Sequence, residues 1–122
     1  MKRYNNAVKD KAWLQVSDDT AIMSNAFGRD PNKPLKTAAK YKYRPNGKEF
    51  SQDTLNNIEE GQLALSRGIA QGARNVLSHE EHIDLSESGL FSEKDCLDML
   101  SILSHLYRRL DDAEIKPEDK TD

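Results

Sequence analysis

The sequence predicts an all-α protein, an up-and-down bundle of about four helices plus a short one. Three observations predict it. Leu55, Ile58, Gln62, Leu65, Ile69, Gly72 and Val76 recur at three- and four-residue steps, a stripe that lasts about six helical turns. Cys96, Leu97, Met99, Leu100, Ile102, Leu103, Leu106, Tyr107 and Leu110 cover more than half the circumference of a last helix. Pro31, Pro34, Pro45 and the Asn46-Gly47 pair gather the breakers into one long loop,.

A chain of 122 residues suits one domain, 1–122, with one core,. No run approaches the roughly 18 apolar residues of a membrane span. No apolar stretch follows Met1-Lys2-Arg3 as a signal peptide requires,. A cytoplasmic protein without a membrane role is expected. Charge is divided unevenly along the chain. Residues 1–50 carry eleven Lys/Arg against five Asp/Glu, and residues 51–122 carry seven against sixteen. The net charge of −3 argues against indiscriminate coating of nucleic acid, while the basic half can still guide a polyanion to a site,. Cys96, alone of its kind, forms no internal disulfide and reads as a small buried hydrophobe,.

The first helix is expected from Lys2 to Val16, on Tyr4, Ala7, Val8, Ala12 and Val16, with Trp13 and Leu14 widening the stripe,. Asp18-Asp19 supplies an N-cap for a short second helix, Thr20 to Phe27, and Gly28 a stop,. Residues 28–49 form a loop with room for a small hairpin. Within it, 33–48 hold six cations and no acid, with Tyr41 and Tyr43 interleaved. Such a segment can grip phosphates and stack bases, or can simply be a solvated surface. Lys40, Tyr41, Lys42, Tyr43 and Arg44 are its candidate RNA contacts.

Ser51 caps the third helix, with Asp53 in its first turn and Phe50 placed to staple onto Leu55,. Gly61, Gly68 and Gly72 line up beside the apolar stripe. Each costs about 1 kcal/mol relative to alanine, so close approach of another helix is the expected compensation. Arg67 and Arg74 share the far side, and Arg67 is a further candidate RNA contact. Glu80 to Gly89 is an acidic connection. Ser92 and Asp95 open the last helix as an Asp variant of the capping box, and the tail, 112–122, is expected to fray,. In so small a domain the second apolar side of the last helix calls for a partner chain.

Chemistry concentrates in Arg74-Asn75-Val76-Leu77-Ser78-His79. It pairs a permanent cation with a group that exchanges a proton near neutral pH. On an unbroken helix the two side chains stand roughly 140° apart, so convergence needs a break between them. A plain helix terminus would also favour Arg and His there, because both interact well with exposed carbonyls. His79-Glu80-Glu81-His82 is one residue short of the H-E-x-x-H zinc pattern, so no metal is expected,. His105 reads as a packed or partly exposed bundle residue.

Ile22-Met23-Ser24-Asn25-Ala26-Phe27, Gly68-x-x-x-Gly72-x-Arg74-Asn75-x-x-x-His79 and Arg108-Arg109-Leu110-Asp111 together resemble the bacterial HEPN-like proteins over most of residues 20–111. That family's signature is R, four to six residues beginning with a polar one, then H. The resemblance implies a HEPN-like helical bundle, a homodimer in which two motifs face one another, and metal-independent cleavage of RNA without a cofactor. It makes Arg74 and His79 the catalytic pair and Asn75 the polar residue after the arginine. It implies a setting in defence or toxin biology, with a larger defence-system partner. The alternative within the same resemblance is a non-catalytic module that dimerises or binds nucleic acid or a nucleotide. A third reading is a domain that works inside a longer chain. Two positions depart from the family pattern: Val76 stands where proline often ends the helix, and Glu81 where modified toxins carry tyrosine.

Overall fold

The computed structural model describes residues 2–16, 18–75 and 80–115, with the backbone alone for Lys2, Ala73, Arg74, Asn75 and His82. Among the described residues the chain is an all-α bundle with one small antiparallel ribbon. Its α-helices are α1 (Lys2–Ala12), α2 (Asp19–Ala26), α3 (Gln52–Ile69), α4 (His82–Glu87) and α5 (Glu93–Asp112). A π-helical segment, Ala70–Asn75, continues α3.

The core lies where α1, α2, α3 and α5 meet. Val8, Met23, Phe27, Leu35, Ile69 and Leu106 are buried there. At its centre a polar knot joins three helices. The Tyr4 hydroxyl of α1 lies 2.8 Å from Ser66 Oγ and accepts from Gln62 Nε2 at 2.9 Å. The same Gln62 nitrogen donates to the Leu106 carbonyl of α5 at 3.3 Å. The Tyr4 ring meets Tyr107 edge-on at 5.1 Å. Burial pushes the Tyr4 phenol up to about 12, so it stays a neutral hydrogen-bonding group,. Gln62 belongs to the sequence stripe because it carries this bond, not because it is apolar.

The first helix stops four residues earlier than its apolar spacing suggests. Leu14 N–H reaches the Lys9 carbonyl and Trp13 N–H the Asp10 carbonyl, the paired bonds of a Schellman stop,. Trp13 holds the left-handed position at φ 57°, a place normally given to glycine, and its side chain is 84% exposed rather than part of the stripe. A left-handed L-residue costs about 1–2 kcal/mol and glycine's extra chain entropy about 0.5–1, so Trp13→Gly is expected to raise stability by roughly 0.5–1 kcal/mol. Urea unfolding measures this, and a fall in stability would mean that the indole makes contacts that outweigh the strain.

The second helix is capped by Asp18, whose carboxylate accepts from Ala21 N–H at 2.9 Å. The expected hairpin forms around Asn46-Gly47. Tyr43 bridges Glu49, Arg44 N–H reaches Lys48 O at 2.7 Å, and Gly47 takes φ 85°. Ser51 caps α3 through Thr54 N–H, and Ser92 and Asp95 form the reciprocal capping box of α5.

Four expectations are corrected. The tail does not begin at 112: α5 runs through Asp112, and Glu114–Ile115 (β2) pairs antiparallel with Leu35–Lys36 (β1), Leu35 opposite Ile115. The ladder holds this segment, whereas 116–122 lie outside the described residues. The connection from Glu80 to Gly89 contains α4, anchored by buried Leu85. Cys96 is exposed, as are Leu97 and Leu100 beside it, whereas Met99 and Ile102 pack against the core. Among the described residues no helix lies close against the glycine stripe. A Cβ at Gly61, Gly68 or Gly72 meets nothing within 4 Å among the described residues.

Candidate functional site

Two regions carry the sequence candidates: the end of the long helix and the basic loop. Gly72, Arg74 and Asn75 sit in the π-helical segment, where the bonding pattern widens from i→i−4 to i→i−5,. The regular α-helix ends at Ile69, before the arginine. The break expected at 76–78, and His79 itself, lie outside the described residues, as do the side chains of Arg74 and Asn75. Arg67 is exposed on α3 and lines a hollow of about 290 Å³ with Leu63, Gly68 and Gln71.

The basic loop is far less free than its composition suggests. Lys33 Nζ donates to the Ser24 carbonyl at 2.6 Å, at the C-terminal turn of α2, where backbone acceptors have lost their helical partners. Lys36 Nζ donates to the Gly28 and Asp30 carbonyls, both at 3.0 Å, and faces the Glu59 carboxylate at 3.4 Å. Lys40 pairs with Asp112 at 3.0 Å, and the Tyr41 hydroxyl donates to the same carboxylate. Lys42 pairs with Glu49 at 3.2 Å and lies over the Tyr43 ring, and Arg44 lies over Phe50. Tyr43 remains an exposed ring at the hairpin.

This docking creates a site that the sequence reading missed. Tyr41, His105, Arg108, Arg109 and Asp112 line one hollow of about 270 Å³, and the Arg109 guanidinium lies 4.8 Å above the Tyr41 ring. A second hollow, about 160 Å³, continues from His105 and Arg109 to Gly61 and Leu65 on α3. Two arginines, an imidazole and a tyrosine along one groove suit a phosphodiester strand. The signal was present as His105, Arg108 and Arg109, spaced to share a face of α5. What the sequence could not supply was the loop folded against that face.

Asp112 sets the charge of this groove. Its carboxyl is held below the ordinary carboxylate range, first by the Tyr41 hydroxyl and then by Lys40. Its carboxylate in turn holds Lys40 above the usual lysine value. Because the folded value is the lower one, the tether is fully present above the unfolded value of about 3.9 and is lost as pH falls through the depressed value. Carboxyl NMR is expected to place the Asp112 midpoint below about 3.9 and to return it toward that value in Tyr41→Phe. An unchanged midpoint in the variant would remove the phenol from this account.

The fold and groove define a small helical-bundle protein with a basic, tyrosine-bearing face. The chain belongs to the family described as a protein of unknown function (Hypoth_ymh), whose model matches residues 1–110. No curated protein and no solved structure matches it. Among the described residues, no helix is long and apolar enough to cross a membrane.

Proposed function

We propose that this protein is a metal-independent endoribonuclease of HEPN type that acts as a homodimer in bacterial defence or toxin biology. The observation that carries the reading is the π-helical segment Ala70–Asn75, which coincides with the Arg-Asn half of the motif. Departures of this kind inside long helices gather at functional sites because they re-aim the side chains that follow.

In this reading His79 takes the proton of a ribose 2′-hydroxyl, and the 2′-oxygen attacks the adjacent phosphorus. Arg74, always charged and fork-shaped, stabilises the extra negative charge as the P–O5′ bond breaks. The second copy's histidine gives a proton to the leaving 5′-oxygen. The products are a 2′,3′-cyclic phosphate and a 5′-hydroxyl. The strand runs over the groove of Tyr41, His105, Arg108 and Arg109, with Tyr43 available to stack a base. A protein partner from the same defence system would control when the strand gains access.

A second reading, a dimeric module that binds nucleic acid or a nucleotide without cutting it, is favoured by an open hollow beside Glu59. RNA cleavage in excess chelator separates the two. The first reading expects cut RNA with cyclic-phosphate ends, whereas intact RNA with measurable binding would support the second.

A further inference from the structure

Glu59 is a charged residue on the wrong side of its helix. It lies on α3 beside Gln62 and Ser66, facing the bundle, and its side chain is only 6% exposed. One carboxylate oxygen, Oε1, accepts the Ala38 backbone N–H and the Thr37 hydroxyl at 3.2 Å, which pins the loop to the helix. The other, Oε2, is buried and has no hydrogen-bond partner among the described residues. Lys36 forms an ion pair with Oε2 at 3.4 Å, but two of its three N–H groups go to the Gly28 and Asp30 carbonyls, so it fills at most part of the acceptor capacity of Oε2,. A buried carboxylate oxygen with unused acceptor capacity is costly unless something donates to it.

Beside it lies a hollow of about 230 Å³, bounded by Glu59, by the apolar surfaces of Pro31, Ala39 and Leu55, and by two exposed cations, Arg29 and Lys42. The cations pair with surface carboxylates, Glu60 at 3.8 Å and Glu49 at 3.2 Å, pairs that an incoming phosphate can displace,. Apolar walls, one directed acceptor and cations among the lining residues are the makings of a small-ligand site.

We propose that this hollow binds a guanine nucleotide, with the base against Glu59 and the phosphate on Arg29 and Lys42. Guanine alone among the four bases of RNA presents two adjacent donors, N1–H and N2–H, which can converge on Oε2. In cytosine and adenine the amino donor is flanked by a ring nitrogen acceptor, and in uracil N3–H stands between two carbonyls, so each would turn an acceptor toward the carboxylate. The apolar walls cover the ring faces. The nucleotide comes either free or as one guanosine of a single strand. The pocket stands independently of cleavage, and if the ribonuclease reading holds it gives that enzyme a preference for guanosine-containing RNA.

The test is an NMR titration of the full chain with GMP, AMP, CMP and UMP, and with oligouridylates that contain one guanosine or none. GMP is expected to shift the amides of Ala38, Ala39 and Asn56 and to bind at least about tenfold tighter than UMP, a difference of about 1.4 kcal/mol. Glu59→Gln, which puts an N–H where Oε2 stands, is expected to erase that preference. Because this change touches a buried charge, Ala39→Leu serves as the second variant. It fills the hollow, leaves Glu59 in place and should weaken GMP binding at least about tenfold. Tighter binding of the guanosine oligomer than of GMP identifies a strand as the source, and the reverse identifies a free nucleotide. The proposal is overturned if GMP leaves these amides unmoved, if GMP and UMP bind alike, or if Ala39→Leu binds GMP as the parent does. A failed titration leaves cleavage at Arg74 and His79 untouched, and an inert protein that binds GMP leaves the pocket standing.

Discussion

His79→Ala is expected to lower the rate of chelator-resistant RNA cleavage by about 10²–10⁴-fold, the range for removing a positioned proton-transfer group. Arg74→Ala should cost about 10²–10³-fold, as removal of a preorganised charge-stabilising donor does. The two losses differ in their pH signature. The parent's rate is expected to rise and then fall around neutrality, because one imidazole must be neutral and the other protonated. Arg74→Ala should keep that bell at reduced height, since arginine does not titrate in this range. His79→Ala should flatten it. Thermal melts of all three proteins provide the folding control. An inert parent, or two variants that cut as the parent does, would defeat the ribonuclease reading.

What the sequence made legible follows from how local each signal is. The Ser92/Asp95 capping box, the Asp18 cap and the Asn46-Gly47 hairpin are each written within a few residues, and each forms as expected. The end of α1 was hidden because its stop uses a tryptophan where glycine is the usual signal. The π segment was hidden for another reason. The three-four spacing runs through Ile69 and Gly72 to Val76 without a breaker, and i→i−5 bonding leaves no compositional trace,. The docking of Lys40 and Tyr41 was hidden because their acid comes from far away in sequence. Asp112, about seventy positions on, takes both Lys40 and Tyr41. Glu59 was overlooked because a glutamate on an amphipathic helix is usually solvated, and nothing local announces a loop N–H folded onto it,.

The other large effect is expected on the outward apolar side of the bundle. Leu97 and Leu100 of α5 are 58% and 61% exposed, and Leu65 of α3 is 44% exposed between Gly61 and Gly68. Exposed apolar groups on α3 and α5 offer an interaction surface, and a second copy of this chain is the occupant that the proposed two-motif site requires. Leu97→Glu combined with Leu100→Glu is expected to convert a dimer to monomers by light scattering at micromolar concentration. It should also abolish cleavage about as fully as His79→Ala, because each site would lose its second histidine. Folding should change by no more than about 0.5 kcal/mol, since neither leucine is in the core. Gly68→Ala supplies the sign. With nothing among the described residues within 4 Å of the added methyl, alanine should stabilise the dilute protein by about 1 kcal/mol,. If the stripe is a seam where two backbones come close, the same methyl should weaken association. Stabilised folding with weakened pairing is an outcome that a solvent-facing stripe cannot produce, and a parent that stays monomeric, or a double variant that still pairs and cuts, would rule the seam out.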